Sequence, residues 1–133
     1  MLYSRSKLKI KDNSGIIIAQ VIQTKKSKNS MKPCITGDFL KASVKKGRSS
    51  LHKVTASSKV QNLTGSNRLH NFVVVNTKKS LRRYDGTALR LNTNSAITIN
   101  DRKLALFKKV SGVVTFELKK NCSSVLNLAK NVL

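Results

Sequence analysis

The sequence predicts a small, mainly β domain, a closed barrel or a sandwich, with a helix at its C-terminal end. Short apolar runs recur along the chain at roughly 8–12-residue spacing, the rhythm of an all-β domain. The runs are β-branched or alternate apolar with polar side chains, and clusters such as Asp12-Asn13-Ser14-Gly15 and Asp85-Gly86 punctuate them as turns. A chain of 133 residues fits one domain, and a chain of that size buries about two-thirds of its extended surface.

Leu8-Lys9-Ile10-Lys11 alternates apolar with basic and reads as a half-buried strand that stops at Asp12-Asn13-Ser14-Gly15. Residues 15–23 resume as a β-branched run, more strand than helix. The polar stretch from Lys25 to Pro33 is a loop. Gly37-Asp38 then opens a strand from Phe39 to Val44. There Phe39, Lys41 and Ser43 alternate with Leu40, Ala42 and Val44, so either face could be the buried one. From about 45 to 71 the chain is rich in Ser, Lys and Asn and reads as a basic insertion, with Lys53-Val54-Thr55 and Lys59-Val60-Gln61 as a weak hairpin or a mobile segment. Phe72 to Asn76 is a buried-type strand, and Thr87 to Leu91 and Ser95 to Ile99 alternate again. The segment from about 114 to 133 changes character. Ser123-Ser124 can cap a helix in which Val125, Leu126, Leu128, Ala129 and Val132 form an apolar stripe at 3.6 periodicity.

Charge narrows the function. Lysine and arginine number 27 against five acids, a formal charge of +22. Such a balance repels itself in a compact state and calls for a polyanion as counter-charge. The clusters are Lys25-Lys26-Ser27-Lys28, Lys45-Lys46-Gly47-Arg48, Lys78-Lys79-Ser80-Leu81-Arg82-Arg83, Lys108-Lys109 and Lys119-Lys120. Thr77 to Arg83 is the strongest nucleic-acid-binding candidate: Arg82 and Arg83 suit bidentate contacts to phosphate, and Lys78 and Lys79 act as point charges. Lys45, Lys46 and Arg48 rank next. Lys25, Lys26 and Lys28 could equally face solvent, and nucleic acid and solvent are even alternatives for Lys108-Lys109 and Lys119-Lys120.

Other chemistries find little support. Cys34 and Cys122 are far apart and outside any C-x-x-C pair, so they read as reduced packing thiols and offer no zinc site. His52 and His70 are isolated, and five dispersed acids assemble neither a metal-dependent nuclease nor any other catalytic site. No cofactor is implied. With no Trp, two Tyr and four Phe, base stacking is a poor mechanism, so recognition is expected to run mostly through the phosphate backbone. No run approaches the roughly 18 apolar residues of a membrane span, and no secretory signal is evident at the start.

Taken in order, the segments resemble the universal large-subunit ribosomal protein L-fourteen family. The matching residues are Asp12-Asn13-Ser14-Gly15; Gly37-Asp38; Val73-Val74-Val75; Thr77-Lys78-Lys79 with Arg82-Arg83-x-Asp85-Gly86-Thr87; Arg90 with Asn94; Asn100; Gly112-x-Val114-Thr115-x-Glu117-Leu118; and Leu128-Ala129-x-x-Val132-Leu133. Their colinear order across the whole chain is what makes the combination specific. Four of the five acids, Asp12, Asp38, Asp85 and Glu117, lie in these fragments, which points to structural jobs for them.

The resemblance implies a closed five-stranded β-barrel with a projecting basic β-ribbon and short C-terminal helices, and a non-enzymatic place on the large ribosomal subunit at its face toward the small one. It implies contacts with large-subunit ribosomal RNA, including Arg90 among the contacting residues, and with small-subunit RNA across the joint. Neighbours of the L-three and L-nineteen families are implied as well. A free-standing basic nucleic-acid-binding protein or RNA chaperone is the alternative. The chain departs from the family at Asn76 and Phe116 (usually Arg), Ser80 (usually Gly), and Tyr84 and Val113 (usually Pro). The stretch Gly65-Ser66-Asn67-Arg68 stands where the family usually carries an acid. The 45–71 region exceeds the family norm by roughly ten residues. These divergent turns and the richness in Lys, Asn, Ile and Ser lead to the expectation of a mitochondrial ribosome, with a plastid or the bacterial cytoplasm as alternatives.

Overall fold

Five strands of this chain close on themselves, and residues 110–133 are laid against one side of the cylinder they make. A computed structural model describes residues 2–24, 33–47 and 69–133. In chain order the strands are β1 (Lys7–Ile10), β2 (Ile16–Thr24), β3 (Phe39–Gly47), β4 (Leu69–Asn76), β5 (Leu81–Arg82), β6 (Ala88–Leu89), β7 (Ser95–Ile99) and β8 (Val110–Val114). A 3-10 helix (Phe116–Lys120), the helix α1 (Ser123–Leu128) and a last strand, β9 (Ala129–Val132), follow. The closed barrel runs β1-β2-β3-β4-β7, so the choice between barrel and sandwich falls to the barrel. Every pair in it is antiparallel except β1 with β7, whose parallel register of Lys9 with Ser95 and Ile10 with Ala96 shuts the cylinder.

Strand faces follow from composition. In β1, Leu8 points inward and Lys7 and Lys9 outward, the simple alternation of a strand with one wet face. The register of β3, open from sequence, is settled by the barrel: Leu40, Ala42 and Val44 are buried inside, and Lys41 is exposed. Phe72 and Val74 of β4 and Ala96 of β7 join these residues in the interior. Val73, Val75, Ile97 and Ile99 point the other way, into a second core with Val110, Val114, Leu118, Cys122 and Val125. Both faces of β7 and of β4 from Phe72 onward are therefore dry, which is why Phe72-Val73-Val74-Val75 reads as an unbroken apolar run. Ser95 to Ile99, which alternates on paper, is buried at every position for the same reason.

Turn chemistry sets the strand ends. Asp12 Oδ1 accepts the Ser14 N–H at 2.9 Å, and the Ser14 hydroxyl accepts the Ile16 N–H at 3.2 Å. Gly15 takes φ +79°, a left-handed conformation that a side chain disfavours. The other Asp12 oxygen accepts from the Thr98 N–H at 2.7 Å and from the Thr98 hydroxyl, which ties the β1–β2 turn to β7. Asp38 likewise holds the turn before β3, accepting the Ile35 N–H at 2.9 Å.

The apolar stripe from Val125 to Val132 is not one helix. Helix α1 ends at Leu128, and Ala129–Val132 runs as a strand parallel to β8, with Val114 opposite Val132. Strand pairing with β8 takes precedence over the local 3.6 periodicity there. Polar pins fasten this layer to the barrel. Lys11 Nζ and Asn76 Nδ2 both donate to the Val113 carbonyl at 3.0 Å, and Asn121 Nδ2 donates to the Gly37 carbonyl at 3.0 Å. Burial lowers the Lys11 pKa below its ordinary value. Cys34 and Cys122 are buried, and Cys122 Sγ donates to the Lys103 carbonyl at 3.2 Å. No helix among the described residues is long and apolar enough to cross a membrane.

Candidate nucleic-acid interface

The basic segment after β4 folds into a two-stranded ribbon. Leu81 pairs with Leu89 and Arg82 with Ala88 around a tight turn. Asp85 Oδ1 closes the turn by accepting from the Thr87 N–H at 2.9 Å and the Thr87 hydroxyl at 2.7 Å. The same hydrogen bonds from Thr87 hold the Asp85 carboxyl below its ordinary pKa. Gly86 supplies the positive φ of +83° that this corner needs. The alternation read over Thr87 to Leu91 yields only the two paired residues of β6. Tyr84, where the family usually has Pro, stands fully exposed at the turn.

Lys78, Lys79 and Arg82 are exposed along the ribbon and its approach. The approach is fixed at its backbone: Lys78 N–H donates to Asn94 Oδ1 at 2.9 Å, and the Thr77 hydroxyl donates to the Lys79 carbonyl at 3.2 Å. Asn94 thus has a positioning role, and Arg90 is exposed. These cations sit on a backbone held in place while their long side chains reach into solvent, which suits point-charge and bidentate contacts to phosphate.

Arg83 is engaged within the chain. Its Nε donates to Glu117 Oε1 at 2.6 Å and its Nη2 donates to the Leu133 carbonyl at 2.9 Å, so the ribbon is anchored to both the 3-10 helix and the last residue. The hydrogen bond to Glu117 raises the Arg83 pKa further. Desolvation pushes the Glu117 carboxyl upward, but the Arg83 hydrogen bond, together with backbone and charge interactions, holds it below its ordinary value. Sequence reading gave Arg83 a phosphate-gripping role and missed this anchor, because Glu117 lies 34 residues downstream.

The other candidates fall in separate places. Lys45 and Lys46 are exposed at the end of β3, on the barrel wall that also carries Lys7, Lys9 and Lys41. Lys108 and Lys109 are exposed just before β8; Lys109 borders an open cavity of about 550 Å³ together with Lys11, Asp12 and Gly112. Lys25, Lys26, Lys28 and Arg48 lie outside the described residues, as does the hairpin expected over 53–61. Strands β3 and β4 reach into the 45–71 segment from both ends, with Ser43 paired to Leu69 and Ala42 to His70. All five carboxylates accept hydrogen bonds from within the chain, the fifth being Asp101, whose Oδ1 accepts from Asn71 Nδ2 at 2.7 Å. Among the described residues no group of three or more His, Cys, Asp or Glu could hold a metal ion.

A family described as "Ribosomal protein L14p/L23e" matches residues 1–133. The chain is also 31% identical, over 133 residues and 99% of each sequence, to "Large ribosomal subunit protein uL14" of Petrotoga mobilis. A barrel that spends its acids on turns and anchors and leaves cations such as Lys78, Lys79 and Arg82 exposed accords with both likenesses. The chain belongs to the L14p/L23e family of ribosomal proteins, which are structural components and not enzymes.

Proposed function

We propose that this chain is a structural constituent of the large ribosomal subunit that binds ribosomal RNA at the subunit interface and helps form the bridges between subunits during translation. The observation that carries the reading is the ribbon: Lys78, Lys79 and Arg82 are exposed on a hairpin whose base is fixed by the Arg83–Glu117 ion pair. Fixing the base lowers the conformational cost of presenting several cations at once to a preformed phosphate surface. Large-subunit RNA is the first partner and small-subunit RNA across the joint the second. Proteins of the L-three and L-nineteen families are the neighbours, and a mitochondrial ribosome is the setting that the divergent turns and Lys/Asn/Ile-rich composition favour.

Replacing Lys78, Lys79 and Arg82 together with Ala tests this. All three side chains are exposed, so the barrel should keep its stability to within about 0.5 kcal/mol per site. Sedimentation of lysates should show the variant still on large subunits through moderate salt but fewer joined ribosomes, by several-fold. Unchanged joining would remove the ribbon from the bridge, and a soluble pool free of ribosomes would favour a free-standing RNA-binding protein instead.

A further inference from the structure

One lysine is set into the seam between the barrel and its C-terminal layer, at the edge of an open cavity. Among the described residues Lys11 is half-buried, whereas the other lysines are exposed. Its backbone is held on both sides: its N–H donates to the Ala96 carbonyl of β7 at 3.1 Å, and its carbonyl accepts the Ser111 N–H of β8 at 2.7 Å. At the other end of the side chain, Nζ donates to the Val113 carbonyl at 3.0 Å. Gly112 makes room for that tip, since a Cβ built there would stand 3.4 Å from Nζ. The φ of +78° at Gly112 disfavours a side chain as well. The amine is therefore ordered, as one on a free four-carbon stem at the surface is not.

The surroundings work against its charge. Asp12 is the one acid lining the cavity, and both its oxygens are committed to Ser14 and Thr98. No ion pair holds Lys11 among the described residues. Lys109 lines the same cavity of about 550 Å³ and brings a like charge. Burial lowers the Lys11 pKa, so more of this amine is neutral near pH 7 than on a fully solvated lysine. The Val113 carbonyl takes one N–H and leaves the nitrogen lone pair unused. A held, partly neutral amine is what a nucleophilic lysine requires. The rest of the cavity suits an anionic electrophile: Ile10 and Ile16 supply apolar wall for a small acyl group, and Lys109 supplies a cation for its leaving group.

We propose that Lys11 is an acylation site whose donor is a small acyl phosphate, held by Lys109 while Lys11 Nζ attacks the acyl carbon. The new bond joins Nζ to that carbon. The bond from the carbon to the bridging oxygen breaks, and its electron pair leaves on phosphate. One proton passes from the amine to the departing phosphate, so the products are an amide and hydrogen phosphate, with no redox change. Acylation takes a charge out of the seam between the barrel and the layer that mounts the ribbon.

The test incubates the folded full chain with acetyl phosphate at pH 7.5 and follows each lysine by peptide mass spectrometry. Lys11 should acquire acetyl at least threefold faster than Lys7 or Lys9, its neighbours on β1. In 8 M urea that preference should vanish. Lys109→Ala should slow Lys11 at least threefold with acetyl phosphate and leave its rate unchanged with N-hydroxysuccinimidyl acetate, which carries no phosphate. An equal or slower rate at Lys11 in the folded chain, or a preference that survives urea, would overturn the site. An equal loss with both reagents in the Lys109→Ala variant, or no loss with either, would overturn the choice of an acyl phosphate as donor.

Discussion

Residues 72–75 and 95–99 are buried on both faces of their sheet, whereas β1 and β3 alternate an inward apolar side chain with an outward lysine. The two walls belong to one barrel and share one interior, in which Phe72, Leu8 and Leu40 meet. What separates them is the use of the outer face. On β4 and β7 it is given to Val73, Val75, Ile97 and Ile99, which seat the C-terminal layer. On β1 and β3 it carries Lys7, Lys9, Lys41 and Lys46. The layer in turn roots the ribbon through Glu117 and Leu133. The apolar wall thus makes a rigid mount for one set of cations, and the other wall is itself the mount for a second set.

Substitution at matched outward positions breaks that comparison most forcefully. Ile97→Lys places a charge in the second core with no partner and should cost about 4 kcal/mol or more, a large share of the roughly 5–15 kcal/mol that holds a domain together. Ile18→Lys, outward on β2 and half-buried, sets a like charge between Lys9 and Lys46 but buries no unpaired one, and should cost about 1 kcal/mol. Urea unfolding midpoints of the two variants check this, and similar losses in both would mean that the β2 wall is also covered.

A smaller effect concerns the ribbon mount. The Glu117 pKa is depressed in the folded protein, so its contribution is present above the ordinary glutamate value of 4.5 and is lost as pH falls through the lower folded value. Both partners of the ion pair are about 30% exposed, at 31% and 27%, which makes this a local constraint and not a large stability term. Amide resonances of Arg83 and Thr87 should therefore shift and broaden below about pH 4.5 while those of β4 and β7 stay put. Glu117→Gln should produce the loosened ribbon already at neutral pH. A ribbon indifferent to both changes would show that Arg83 anchors nothing.

Much of the barrel was legible because its signals are local. The alternation at Leu8-Lys9-Ile10, the turn at Asp12 to Gly15 and the apolar run at Phe72 to Val75 each name their own conformation. The register of β3 was not, since Phe39 makes the wrong face look buried. In the structure Phe39 packs beside the second core, with Lys103 Nζ 5.2 Å from its ring centre. The stripe over Val125 to Val132 misled because its strand half depends on β8, a partner that local periodicity cannot reveal. The Arg83 anchor stayed hidden in the same way, since basic clusters announce charge but not which member a distant acid will claim. Lys7, Lys9 and Lys41 went unremarked as a group because they are scattered in sequence and meet only across the sheet.

Amine labelling of the protein in the particle with which it sediments, before and after ribonuclease digestion, tests the central claim most directly. Lys78 and Lys79 should be protected by at least tenfold in the intact particle and become reactive once the RNA is removed. Equal labelling in both states, at lysines that the fold leaves exposed, would contradict the view that this barrel exists to hold cations against ribosomal RNA.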